Sequence, residues 1–149
     1  MQKVEDAKTA LALKSLLSIL LVIFIIFVAF FRQQPILKIN HSEYYLDQAK
    51  QLSVQEKGLG GKSSLASNKG MLYTFNQPGK QCFWMKDMKF SLDIIWLTSD
   101  KQVDYISQNV SPQAYPDIYC TNIASKYVIE MNAGTVEKES IHSGQYLHF

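Results

Sequence analysis

Cys82 to Trp96 reads CFWMKDMKFSLDIIW, and this stretch decides the fold class. It is dense in aromatic and β-branched residues, which favour a pleated, half-buried surface. Asp87 and Ser91 interrupt it, so it predicts two strands or one bent strand. Downstream, Thr98-Ser99-Asp100-Lys101 reads as a hairpin turn into a strand from Val103 to Ile106. Ser107 to Thr121, with Pro112 and Pro116, reads as a long loop. Tyr127 to Met131 is the next strand and Ala133-Gly134 breaks it. Thr135 to Ser140 suits a helical turn or two, and Gly144 precedes a last strand, Tyr146 to Phe149.

Upstream, Met71 to Phe75 is a strand closed by the turn signal Gln77-Pro78-Gly79. Ser63 to Lys69 is a polar connection. Ser53-Val54-Gln55-Glu56 has the spacing of a capping box, in which hydroxyl and carboxylate each satisfy an orphan backbone N–H. It predicts a short helix stopping at Gly58, Gly60 and Gly61, with a strand before it from Tyr44 to Gln48. Strands at short spacing with little helix predict a mainly β domain, a small sandwich or open-barrel-like fold with one or two short helices.

A different pattern precedes this domain. Ser15 to Phe31, SLLSILLVIFIIFVAFF, carries no charge over about seventeen residues, and Leu11 to Leu13 extend it past the single interruption at Lys14. A helix needs ~20 residues to cross ~30 Å of hydrocarbon, and a Lys at the edge can reach the headgroups. The run ends in Phe30, Phe31 and Arg32, with no small-residue cleavage pattern, which favours an uncleaved anchor over a signal peptide. Lys3, Lys8 and Lys14 precede the run, while Arg32 and Lys38 follow it, so the positive-inside bias points the N-terminus to the cytoplasm. The expected organisation is a cytoplasmic tail over 1–14, one transmembrane helix over 15–32, a tether over 33–42 and an extracytoplasmic β domain over 43–149. The lipid bilayer is then the first partner.

Charge excludes one class of function. From Gln33 onward about eleven Lys face about eleven Asp and Glu. A near-neutral domain offers no basic patch for nucleic acid. His41, His142 and His148 lack ligand spacing, so no metal is expected, and no phosphate loop or G-x-S-x-G points to a cofactor or a serine nucleophile.

The two cysteines, Cys82 and Cys120, make an even count in a domain expected outside the cytoplasm, where disulfides persist. A disulfide between them would pin the Pro-containing loop to the strand that begins at Cys82. In a cytoplasmic domain they would instead be two buried thiols.

Several blocks carry a family resemblance: Lys57-Gly58-Leu59, Gly70-Met71-Leu72-Tyr73-Thr74-Phe75, Phe83-Trp84-Met85-Lys86-Asp87-Met88, Leu92-Asp93-Ile94-Ile95-Trp96-Leu97 and Tyr127-Val128-Ile129-Glu130-Met131-Asn132-Ala133-Gly134. In this order they resemble the domain of unknown function 192 family, from about Tyr44 to Phe149. The resemblance implies a compact, mostly β domain, often exported or anchored, and brings no activity with it. Asp87 stands where the family usually has Asn, Ser91 where it has Pro, and Lys62 where Arg is common.

The informative residues are the polar ones set among apolar strand neighbours: Lys86, Asp87, Asp93, Glu130 and Asn132. A charge holds such a position only if it faces water or is paired. An ion pair of Lys86 with Asp93 or Glu130 would be a structural device fixing register. A polar cleft walled by Trp84, Phe83, Tyr73 or Trp96 would bind a small ligand or glycan, or an envelope protein. Asp93 and Glu130 as paired carboxylates would instead make a small envelope enzyme acting on glycan or peptide. The expected ligand-binding set is Trp84, Lys86, Asp87, Asp93, Glu130 and Asn132.

Overall fold

The computed structural model describes the backbone of residues 2–31 and 34–149 and the side chains of 13–28 and 34–149. The chain divides into two units, Met1–Gln34 and Pro35–Phe149.

The first unit is the helix α1, Gln2–Phe31. Its described side chains, Leu13 to Val28, are exposed, and Ser18 Oγ donates to the Ser15 carbonyl at 2.7 Å, which satisfies that hydroxyl inside the helix. About sixteen residues rise ~24 Å. Among the described residues no helix is long and apolar enough to cross a membrane. The expected flanks, Lys3 and Lys8 before the run and Phe30 to Gln33 after it, lie outside the described side chains.

The second unit is built on one mixed sheet. In chain order its elements are β1 (Ile36–Ile39), β2 (Ser42–Ala49), α2 (Leu52–Lys57), β3 (Lys69–Gly79), β4 (Cys82–Trp84), β5 (Leu92–Leu97), β6 (Val103–Val110), a 3-10 turn (Pro112–Ala114), β7 (Ile118–Cys120), β8 (Ser125–Asn132) and α3 (Thr135–Glu139). Six strands run in the order β1-β2-β3-β8-β5-β6, and β4 pairs with β7 as a separate ribbon. The β2–β3 pair is parallel and every other pair antiparallel. A parallel pair needs a crossover, and α2 with residues 58–68 supplies it.

This corrects the expected architecture. The domain is mainly β with few short helices, but it is neither a closed barrel nor two sheets of similar size. Both faces of the one sheet are covered, so its interior strand β5, between β8 and β6, is buried at every position. Ile95, Leu97, Leu72, Ile129 and Met131 on one face meet Val136 of α3 and Ile141 and Leu147 of the C-terminal segment. Ile94, Trp96, Tyr73 and Val128 on the other meet Leu59 and Met85, with Phe83 packed against them.

Several boundaries also move. Ile36–Ile39, read as tether, is edge strand β1, because alternate residues Leu37 and Ile39 bury against the first cluster. α2 begins at Leu52 with Gln51 as an N-cap that makes no side-chain bond, so Ser53 lies inside the helix and forms no capping box. Gln55 fastens this helix instead, donating to the carbonyls of Ala49 at 2.9 Å and Thr74 at 3.2 Å. The Gln77-Pro78-Gly79 turn is absent: β3 continues to Gly79, and the pairing with β8 shifts between Thr74 and Gly79, where a proline lacking an N–H is tolerated. The predicted loop 107–121 is partly ordered, since β6 runs to Val110 and β7 pairs with β4. The final strand reduces to two isolated bridges, Gln102 with Tyr146 and Lys38 with His148.

Candidate functional site

A cleft of about 1020 Å³ opens on the second face of the sheet. Three pieces of chain wall it: α2 with its glycine exit, Gln81 with the β4 strand of the β4–β7 ribbon, and the turn from Lys86 to Lys89. Its floor is formed by Tyr73 of β3 and Glu130 of β8.

Sheet pleat explains the floor. Met71 pairs with Glu130 and Tyr73 with Val128, so Tyr73 and Glu130 are diagonal neighbours on one face. The Tyr73 hydroxyl donates to Glu130 Oε2 at 2.7 Å. Glu130 is 5% exposed. Burial pushes its carboxyl up to about 7, opposed by the Tyr73 bond that favours the charged form. The Tyr73 phenol is raised too, by burial first and by the Glu130 charge second.

The glycine exit is shaped by this pair. Gly58 has φ +51°, and a Cβ there would lie 2.5 Å from the Tyr73 hydroxyl oxygen, so the position needs glycine for conformation and for space. A Cβ on Gly60 would lie 2.8 Å from the Lys57 carbonyl, and Gly61 N–H donates to the Asp87 carbonyl at 2.9 Å. The K-G-L-G-G run therefore packs directly on the Lys86–Met88 turn.

The ribbon forms the opposite wall. Cys82 and Cys120 are register partners and form a disulfide, as expected from the even count. Phe83 faces inward, edge-on to Tyr73 at 4.8 Å and to Trp96 at 5.9 Å. Trp96 is core, with Nε1–H donating to the Gln81 carbonyl at 2.9 Å. Trp84, one residue on, points outward and is 50% exposed at the cleft.

The predicted site residues separate into two groups. Trp84, Lys86, Asp87 and Glu130 line the cleft. Asp93 does not: it pairs with Met131 while Ile94 pairs with Glu130, so the two carboxylates leave opposite faces of the sheet. Asp93 accepts from the backbone N–H of Asn109 and of Val136, both at 2.8 Å, and so fastens β6 and the first turn of α3 to the sheet. The Asp93–Glu130 catalytic pair is thereby excluded as a shared-cleft arrangement. Asn132 also works elsewhere, donating to the carbonyls of Leu65 and Ala66 at 3.1 Å and holding the 63–68 connection.

The expected ion pair of Lys86 is absent. Among the described residues no carboxylate lies within 4 Å of its ammonium, and the residue is exposed. The chain leaves the strand at Met85 and turns, with Met88 N–H on the Met85 carbonyl at 3.2 Å and Asp87 at φ +59°, which carries Lys86 to the rim rather than into the sheet.

Sequence reasoning did not single out Lys57, Lys89 or Gly58, which also line the cleft. Their only signals were that Lys57 and Gly58 belong to the K-G-L block, with Gly58 at the helix exit, and that Lys89 follows the F-W-M-K-D-M block. Sequence reasoning also passed over a third buried carboxylate beside Asp93 and Glu130, Glu139 of α3. Tyr44 and Ser42 hydroxyls donate to Glu139 Oε1 at 2.7 and 2.8 Å, Asn40 to Oε2 at 3.4 Å, and Lys138 lies 3.0 Å away. Burial pushes this carboxyl up, but the hydrogen bonds together hold it down at about 2.

The family model DUF192, described as an uncharacterized ACR, matches residues 35–149. The chain is similar in fold to a solved protein of unknown function from Novosphingobium aromaticivorans DSM 12444, at 24% identity and a TM-score of 0.71, covering 77% of this chain and 84% of that one. It is also similar to a solved protein from Sinorhizobium meliloti 1021 described as a "putative transcription regulator", at 27% identity and a TM-score of 0.72, covering 77% of this chain and 92% of that one. No curated protein matches the chain.

Proposed function

The chain belongs to the DUF192 family, and we propose that it is a membrane-anchored binding module of the cell envelope, with its ligand site in the cleft over Tyr73 and Glu130. One observation carries the binding reading: a nearly buried carboxyl whose neutral and charged forms are close in energy near pH 7 sits at the floor of an aromatic-walled cleft. Such a convergence of apolar walls with a few placed polar groups and a perturbed acid is the usual make-up of a ligand site. A two-carboxylate hydrolytic mechanism is not favoured, because Asp93 serves the opposite face.

The anchoring part rests on the charge-free run Ser15–Phe31 and its lysine flank. The Ser18 bond to its own helix removes one cost of placing that hydroxyl in lipid. The extracytoplasmic side is supported by the Cys82–Cys120 disulfide, since such bonds persist in oxidising compartments.

Two measurements test this. The chain should remain with membranes after carbonate washing, and protease added outside the cell should cut the 35–149 unit. A soluble form beginning after Phe31 sinks the anchor, and cleavage only by protease admitted to the cytoplasm reverses the orientation. For the cleft, thermal-shift screening of the full chain against envelope saccharides and small metabolites should give a stabilising ligand, and Trp84→Ala should abolish that shift. A shift unaltered in Trp84→Ala would move the site elsewhere.

A further inference from the structure

We propose that the cleft takes an uncharged saccharide, one ring lying on the Trp84 indole and a hydroxyl of the ligand donating to Glu130. The inference rests on the cleft being the binding site and names what chemistry fits it.

The floor asks for a donor. Glu130 Oε2 already accepts from Tyr73, whereas Oε1 accepts no hydrogen bond from the described residues, although the residue is 95% withdrawn from solvent. A carboxylate oxygen has two lone-pair sites, and Oε1 is not one of the enclosed atoms left without a partner, so it opens to the cleft. An incoming O–H or N–H can take the place of water at that oxygen.

The rim excludes a strongly charged ligand. Lys57, Lys86 and Lys89 line the cleft, and so do Glu56, Asp87 and Glu130. Three ammonium groups thus stand against Glu56, Asp87 and a Glu130 that is partly charged near pH 7, and none of the six forms an ion pair with another residue among those described. A cation brought to Glu130 would pass three ammonium groups, and an anion drawn to the lysines would meet three carboxyls. Ligand hydroxyls, each both donor and acceptor, can use either kind.

The wall supplies the remaining element. Trp84 exposes half its surface at the cleft, while the neighbouring aromatics Phe83 and Trp96 are turned into the core. An exposed indole held on a disulfide-stapled ribbon offers a rigid flat face for the C–H side of a sugar ring, with little conformational entropy to lose. A volume of about 1020 Å³ leaves room for more than one ring.

The test is calorimetric titration of the full chain in lipid nanodiscs with cellobiose, maltose and N,N′-diacetylchitobiose, alongside digalacturonic acid and diglycine. At least one neutral disaccharide should bind and quench the Trp84 emission. Trp84→Ala, at an exposed position that leaves the core intact, should weaken binding about tenfold or more. Glu130→Leu, which is apolar and leaves the hydroxyl without a partner, should weaken it comparably; a folded melting profile qualifies that variant, and Trp84→Ala decides the matter if it does not fold. Binding of digalacturonic acid alone, lost in Trp84→Ala, overturns the uncharged requirement, binding of diglycine alone, lost in the same variant, overturns the saccharide class, and either leaves the cleft reading standing. Silence from every probe up to about 10 mM, or neutral-sugar binding indifferent to Trp84→Ala, overturns both.

Discussion

Replacing Glu130 by Gln separates the charge of this residue from its shape. The Gln carbonyl can still accept from the Tyr73 hydroxyl, so the hydrogen bond of 2.7 Å has a replacement. What disappears is the titration. In the folded chain the carboxyl is raised from 4.5 to about 7 because burial penalises its charged form. Between those values the native state holds a proton that the unfolded state has released, so stability falls as pH rises through the window. A rise of that size corresponds to about 3 kcal/mol. Below 4.5 both states are protonated and the penalty vanishes; above 7 it is fully present. Urea unfolding of the 35–149 unit, which encloses both hydrophobic clusters, should therefore show Glu130→Gln and the parent close together at pH 4.5. At pH 8.5 the variant should be more stable by as much as about 3 kcal/mol. If the two stability curves run parallel from pH 4.5 to 8.5, Glu130 is not a desolvated acid and the cleft floor has been misjudged. A variant less stable at pH 8.5 would count equally against a desolvated acid, since it would mean the charge is favourably held.

Gly58→Ala should cost about 2 kcal/mol in urea unfolding, from a strained positive φ and a Cβ driven into the Tyr73 hydroxyl; an unchanged midpoint would show that Tyr73 has room to move. Asp93→Ala leaves the Asn109 and Val136 amides without their acceptor and should destabilise by about 3 kcal/mol, while the affinity of any cleft ligand stays within twofold of the parent once folded protein is counted. Cys82→Ser with Cys120→Ser removes a crosslink between residues 38 apart, worth about 4 kcal/mol in the chain-entropy model. Hydrogen exchange should then show the largest loss of protection in β4 and β7, and an evenly spread loss would count against a locally stapled wall. Glu139, held at about 2, contributes stability above pH 4.5 that is lost as pH falls toward 2. Glu139→Gln should flatten acid unfolding in that window, and an identical acid limb would discount the network around Tyr44 and Ser42.

Residues taken alone showed what depends on near neighbours in sequence. The strands around Met71–Phe75, Leu92–Leu97 and Tyr127–Met131 were legible because runs of aromatic and β-branched residues bounded by turn and break signals favour a pleated surface and need no partner to be seen. The break between Cys82–Trp84 and Leu92–Leu97 was legible from Asp87 and Ser91, and the Cys82–Cys120 bond from an even count and compartment. Pro78 was misread because local turn chemistry says nothing about a pairing irregularity that accommodates a proline within β3.

Tertiary structure decided the rest. One sheet clothed on both faces replaced the expected sandwich or open barrel, since which strands pair, and whether in parallel, is a matter of chain path. Asp93 and Glu130 looked alike as single acids in apolar strands. Register placed Ile94, not Asp93, beside Glu130, and that sent one carboxylate to anchor α3 and the other to the cleft. Lys86 looked buried and paired, and the four-residue turn Met85–Met88 put it on the rim. Tyr73 and Glu130 are 57 residues apart, and only strand pairing brings the hydroxyl to 2.7 Å from the carboxylate. Periodicity tells a side chain's face within its own strand; the partner across from it, and therefore its charge state and its chemistry, belongs to the assembled sheet.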